Sequence, residues 1–117
     1  MIVERYESAE ALAAVLAGRV VAAIAAKPDL VLGIPAGRTP ILLYRVLVAE
    51  SRARGLDWSR VRTFNVDEFV TEPATGRQPF EAFVHEHLLQ HVNVRPQNAD
   101  RPDGRAQDLD AECDRYE

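Results

Sequence analysis

Leu30-Val-Leu-Gly-Ile-Pro-Ala-Gly-Arg-Thr-Pro40, together with Val61-Arg-Thr-Phe-Asn65, decides how this 117-residue chain folds. Leu30-Val-Leu-Gly33 is a continuous apolar run without polar alternation, the pattern of a strand buried on both faces of a parallel sheet. Ile34 to Arg38 reads as a turn. Thr39 is placed to cap a helix, and Pro40 takes the first helical position, where its missing N–H costs nothing. Leu43, Val46 and Leu47 give that helix an inward face, and Gly55 supplies its C-terminal stop. Val61 to Asn65 is then a second strand. Strand, helix and strand in this order form a βαβ unit, whose crossover is expected to be right-handed.

Working outward, Ile2 to Tyr6 reads as a short strand, and Ser8 as the N-cap of a helix running to about Ala26, with Glu10 in its first turn. Leu12, Leu16, Val20 and Ile24 recur every four residues and predict its core-facing stripe. Lys27-Pro28-Asp29 ends it. Beyond the βαβ unit, Asp67 to Gln78 is a loop. A helix over Pro79 to Gln90 carries Phe80, Phe83, Val84, His87 and Leu88 on one face. Asn93 to Gly104 is polar and reads as a connection, and Ala106 to Glu117 begins a last helix for which no stop signal follows. There is no internal repeat or linker, so residues 1–117 are expected to belong to a single domain. Because the last helix has no stop, the chain is expected to expose apolar surface and to be marginally stable or to associate.

Composition narrows the class. Hydrophobic residues make up 47% and charged residues 27%, while aromatics are only 7%, so the core is aliphatic. The longest uninterrupted apolar stretch, Val20 to Ala26, is far shorter than the roughly 20 residues of a membrane span, and no signal-peptide pattern opens the chain. Neither a membrane nor nucleic acid is therefore an expected partner. The net charge is −4, and Arg52, Arg54, Arg60 and Arg62 are interspersed with Asp57 rather than gathered into a basic patch. The lone Cys113 predicts a reducing, cytoplasmic setting.

In open parallel sheets, ligands bind beyond the carboxyl ends of the strands. Two segments lie there: Gly33-Ile-Pro-Ala-Gly-Arg-Thr-Pro40 and Asn65-Val-Asp-Glu-Phe-Val70. In the first, Gly37 lets the backbone approach an anion, and the helix start offers unpaired N–H donors. The spacing fits neither a nucleotide P-loop nor a dinucleotide fingerprint, and a routine strand–turn–helix connection would look the same. The second offers adjacent carboxylates, Asp67 and Glu68, one of which could move a proton next to a carbonyl; a solvated loop would also begin this way. His87 and His91 have zinc-like spacing on an expected helix face but lack a third ligand, so no metal is expected. Cys113 has neither a CxxC partner nor a base. Trp58 is expected to anchor its loop against the sheet edge.

Leu32-Gly-Ile-Pro-Ala-Gly-Arg-Thr-Pro40 with Tyr44, Leu56-Asp-Trp-Ser-Arg-Val61, Thr63-Phe-Asn-Val-Asp-Glu-Phe69, His87-Leu-Leu-Gln-His-Val92 and the tail from Pro102 to Glu117 together resemble glucosamine-6-phosphate deaminases. These belong to the glucosamine-6-phosphate isomerase and 6-phosphogluconolactonase superfamily, and the likeness is colinear from about residue 30. The resemblance implies an α/β fold, a Rossmann-like three-layer parallel sheet with helices on both faces, of which this chain would be the N-terminal half. It implies a sugar-phosphate substrate, no cofactor, and conversion of glucosamine 6-phosphate to fructose 6-phosphate and ammonia. It places Ala36, Gly37, Arg38 and Thr39 around the phosphate and makes Asp67 the base between C2 and C1, with Glu68 in support.

The resemblance has departures. Ala36 stands where the family often has threonine, Arg38 where it often has glycine or serine, and Gln78-Pro79-Phe80 replaces the usual residues there. The family's ring-opening histidine lies in its second half, so the 117 residues alone are expected to be inactive. The alternatives are a 6-phosphogluconolactonase-type hydrolase and a non-catalytic sugar-phosphate-binding module; homo-oligomer formation is left open.

Overall fold

The computed structural model describes all residues, Met1–Glu117. Helix α1 (Ala9–Ala26) leads to strand β1 (Val31–Ile34), helix α2 (Ile41–Ala53), strand β2 (Arg62–Asn65) and helix α3 (Pro79–His87). Strand β3 (Ala99–Asp100) and helix α4 (Leu109–Tyr116) complete the order. The strands form one parallel sheet, β1-β2-β3, with Ile34 level with Asn65 and Thr63 level with Ala99.

The pleat sorts the layers. Thr63 and Asn65 are buried while Arg62 is exposed and Phe64 only half-buried, so one face of β2 is closed by the main helix layer and the other is more open. The core joins Val21 and Ile24 of α1, Ile34 of β1, Tyr44 and Leu47 of α2, and Val84 of α3 with Leu88 just beyond it. On the opposite face α4 lies against the sheet through Tyr116, whose ring meets Phe64 edge-on with centroids 6.0 Å apart. Helices therefore occupy both faces, as the resemblance implies.

Local chemistry explains the ends of the elements. Ser8 Oγ accepts the Ala11 N–H at 3.0 Å and caps α1. Gly55, at φ +59°, closes α2 in a left-handed conformation. There the Gly55 N–H donates to the Arg52 carbonyl and the Leu56 N–H to the Ser51 carbonyl, a complete Schellman pair. Thr39 does not cap α2: Pro40 holds that position and no side chain bonds to the free donors.

Several expectations are corrected. Residues 2–6 form no strand; Ile2 and Val3 are exposed, and the segment is instead tied to α1 by Glu4 and Arg19, 2.7 Å apart. The buried stripe of α1 is Ala13, Ala17, Val21 and Ile24, whereas Leu12 and Leu16 face outward. Strand β1 is not buried on both faces: Val31 and Gly33, on one face, are exposed, while Ile34, on the other, is buried. Helix α3 stops at His87 rather than Gln90, giving way to a 3₁₀ turn over Leu89–His91. The supposed connection after Asn93 contains β3. Counting uninterrupted apolar residues also understated α1: with 18 residues and mean hydropathy 1.8 it is long and apolar enough to cross a membrane, although its small-residue stripe is packed into the core. Leu12, Val15, Val31, Phe69 and Val70 are exposed apolar residues.

Helix α4 is fastened by charge. Arg115 grips Glu112 with two bonds of 2.6 and 2.7 Å, and the Asp103 N–H donates to the same carboxylate at 2.7 Å. These contacts, Arg115 first, lower the Glu112 pKa from 4.5 to about 2. A lowered folded-state value means the stabilisation is full above the unfolded value near 4.5 and is lost as pH falls toward 2. Carboxyl ¹³C shifts should show Glu112 titrating near pH 2, with exchange of the Asp103 amide accelerating over the same interval; a midpoint at the ordinary glutamate value would refute the clamp.

Candidate active site

The register brings the two sequence segments together. Ile34 and Asn65 end adjacent strands at the same level, and the Val66 N–H continues the ladder to the Ile34 carbonyl at 3.1 Å. Neighbouring strands are about 5 Å apart, so Pro35 to Thr39 and Val66 to Phe69 leave the sheet side by side at its carboxyl edge.

The β1–α2 loop is built to present donors. Gly37 has φ +112°, which L side chains rarely adopt, and a Cβ placed there would meet nothing within 4 Å. Conformation, not crowding, therefore requires glycine. The backbone N–H groups of Ala36, Gly37, Arg38 and Thr39 have no acceptor within the chain. They lead into the N-terminus of α2, where the helix dipole adds positive potential. The Arg38 side chain is exposed. From below, the hydroxyl of the buried Tyr44 donates to the Pro35 carbonyl at 2.5 Å.

The two carboxylates after β2 separate into different tasks. Glu68 accepts the Phe80 N–H at 3.0 Å on Oε1 and the Glu81 N–H at 2.9 Å on Oε2, so it caps the start of α3. Asp67 is exposed and makes no hydrogen bond or ion pair. Of the pair, only Asp67 has a carboxylate uncommitted to the fold.

The loop carrying Asp67 is held from the other end of the chain. Arg105 Nη1 donates to the Ala74 and Gly76 carbonyls, both at 2.9 Å, and the Thr71 N–H donates to the Gly104 carbonyl. A Cβ at Gly104 would lie 1.9 Å from the Phe69 carbonyl oxygen. Sequence reading assigned no role to Tyr44, Gly104 or Arg105. Tyr44 and the Pro102-Asp-Gly104 turn were visible only as parts of the family resemblance, and no local signal marked Arg105.

Other candidates are dispersed. His87 packs on Phe83, with ring centroids 4.4 Å apart, while His91 sits in the 3₁₀ turn 3.3 Å from Arg52, so the two do not share a helix. Cys113 is free and exposed on α4. Trp58 is fully buried, and its indole N–H donates to Ser51 Oγ at 3.1 Å, anchoring the loop to α2 rather than to the sheet edge. A cleft of about 270 Å³ between α3 and the β2–β3 strands is lined by Asn65, Arg77, Glu81 and His85 among others. None of Ala36–Thr39 or Asp67 borders it.

Comparison with known proteins gives the family and the fold. A family model described as glucosamine-6-phosphate isomerases/6-phosphogluconolactonase matches residues 4–117. Glucosamine-6-phosphate deaminase 1 of Giardia intestinalis is 44% identical over 102 residues, covering 87% of this chain and 38% of that protein. Glucosamine-6-phosphate deaminase 2 of Bacillus subtilis is 38% identical over 117 residues, covering all of this chain and 46% of that one. A solved monomeric glucosamine-6-phosphate deaminase superposes on all of the chain with a TM-score of 0.92 at 32% identity, covering 48% of its own length. A 6-phosphogluconolactonase from Thermotoga maritima shares the fold, with a TM-score of 0.73 at 18% identity over 97% of this chain and 49% of that one. The chain thus spans less than half the length of each of these relatives.

Proposed function

The chain belongs to the glucosamine-6-phosphate isomerase/6-phosphogluconolactonase family, and from that premise we propose that it supplies the phosphate cradle and the proton-transfer base of an amino-sugar-phosphate deaminase. Glucosamine 6-phosphate and water would leave as fructose 6-phosphate and ammonia. The observation that carries the proposal is the shared edge of β1 and β2, where the acceptor-free N–H groups of Ala36–Thr39 and the uncommitted carboxylate of Asp67 follow adjacent strand ends. Anionic phosphate oxygens suit such donors at a helix N-terminus. With the phosphate held there, Asp67 takes the C2 proton of the opened sugar and returns it to C1 through an enediol-like intermediate. Glu68 supports this by fixing the loop to α3. The reading invokes no metal and no cofactor.

Deamination is favoured over lactone hydrolysis by the relatives, since curated deaminases match at 38–44% identity, whereas the quoted lactonase likeness is one of fold. The same reading takes residues 1–117 as the N-terminal part of one sugar-phosphate domain. It sets the protein in the cytoplasm, with the free thiol of Cys113 as support. Ring opening needs an acid–base partner that the reading does not find among these residues.

The test has two parts. A polypeptide of the relatives' full length carrying this sequence is expected to release ammonia from glucosamine 6-phosphate and to leave 6-phosphogluconolactone unhydrolysed. The 117-residue chain is expected to bind the sugar phosphate without turnover. Lactone hydrolysis in place of ammonia release would transfer the assignment to the hydrolase branch, and binding without turnover by the long polypeptide would make it a sugar-phosphate-binding module.

A further inference from the structure

We propose that Tyr44 is a positioning residue that aims the Ala36 N–H into the crevice, and so sets the anion affinity of the β1–α2 loop. This rests on the phosphate reading of Ala36–Thr39 given above. Tyr44 is 2% exposed, and its ring lies in the core with Ile34, Leu47 and Val48. Its hydroxyl has one partner, the Pro35 carbonyl. Burial raises the phenol's pKa well above its ordinary value, so the group stays protonated and remains a donor at any working pH.

Peptide geometry transmits that contact. All peptide bonds are trans, and in a planar trans unit the C=O and the following N–H point in opposite directions. Drawing the Pro35 carbonyl inward onto Tyr44 therefore turns the Ala36 N–H outward, away from the core. Pro35 contributes no N–H of its own and its ring fixes φ on the near side of this unit, so the Ala36 N–H is the first donor the loop can offer. Ala36 N–H is among the donors with no acceptor in the chain. Tyr44 stands in the first turn of α2, so the helix that offers its N-terminus to the anion also fixes the loop before it.

The test uses the 117-residue chain labelled with ¹⁵N and titrated with inorganic phosphate. In the wild type, phosphate is expected to shift the amides of Ala36, Gly37, Arg38 and Thr39. Tyr44→Phe keeps the ring and removes the donor; affinity is expected to fall roughly three- to tenfold, the scale of one hydrogen bond, with the Ala36 shift reduced most. Leu47→Ala loosens the same helix without touching the loop. It is expected to lower Tm at least as far as Tyr44→Phe while keeping phosphate affinity within about twofold of wild type. Tyr44→Phe with unchanged affinity would overturn the proposal, as would equal loss in both variants, since that would reduce Tyr44 to a stability role. If phosphate leaves the wild-type loop unshifted, the cradle reading fails and this inference falls with it.

Discussion

Asp67→Asn, in a polypeptide of the relatives' full length, is expected to lower turnover of glucosamine 6-phosphate by about 10²–10⁴-fold, the range that a positioned general acid–base contributes. KM should stay within a few fold, because the amide has the same shape and the phosphate donors lie on the other loop. Stability should hardly move: Asp67 is exposed and bonded to nothing, and surface changes away from special features are usually within about 0.5 kcal/mol. Glu68→Ala gives the opposite pattern. Its carboxylate satisfies the Phe80 and Glu81 N–H groups, so losing it should cost about 0.5–2 kcal/mol, as for other helix caps, with turnover far less affected than in Asp67→Asn. Steady-state kinetics and thermal unfolding of the two variants side by side separate the roles. Full turnover in Asp67→Asn would remove Asp67 from the mechanism.

Trp58→Ala should be the most damaging single change to the fold, costing about 3–5 kcal/mol. The indole is fully buried and bonded to Ser51 on α2. Its backbone N–H donates to Asn93 Oδ1 at 2.7 Å, and Asn93 Nδ2 donates to Asp57 at 2.8 Å. Removing the ring empties the space between α2 and the approach to β2 and removes the bond to Ser51, leaving the backbone contact with Asn93 to hold the loop. Against a typical domain stability of about 5–15 kcal/mol, the loss would leave a substantial unfolded fraction near body temperature. Ser51→Ala keeps the ring but strands its buried N–H, for an expected cost of about 1–3 kcal/mol. Urea unfolding measured by circular dichroism gives both values; Trp58→Ala within 1 kcal/mol of wild type would contradict the packing (about the error of one lost hydrogen bond).

The βαβ unit was legible because its signals are local. Leu30–Gly33 lacks polar residues, Ser8 precedes a helix, Gly55 follows one, and each signal acts within a turn of its own position. That the two loops leave adjacent strand ends was also legible, since it follows from parallel pairing of consecutive strands. What failed depended on contacts across the chain. The core face of α1 lies about one residue away from the stripe of leucines, because close approach to α2 selects the small Ala13 and Ala17. Strand β3 escaped notice because two residues, Ala99 and Asp100, paired on one side only, leave no alternation to read. The N-terminal apolar segment finds no neighbouring strand to pair with. Asp67 and Glu68 look equivalent in sequence; only the arrival of Phe80 and Glu81, 12 and 13 residues away, tells them apart.

Helix α2 also gives the molecule a built-in optical reporter. Tyr44 touches the loop of the crevice at one end, and Ser51 holds the indole of Trp58 near the other. The seven-position step from Tyr44 to Ser51 corresponds to a rigid rod of about 10 Å. Trp58 is the chain's only tryptophan, so all indole fluorescence originates at the far end of that rod, in a dry site that should give blue-shifted emission. A tilt of α2 on anion capture would alter the hydrogen bond to Ser51 and change the emission colour, so occupancy of the crevice could be followed without attaching a dye.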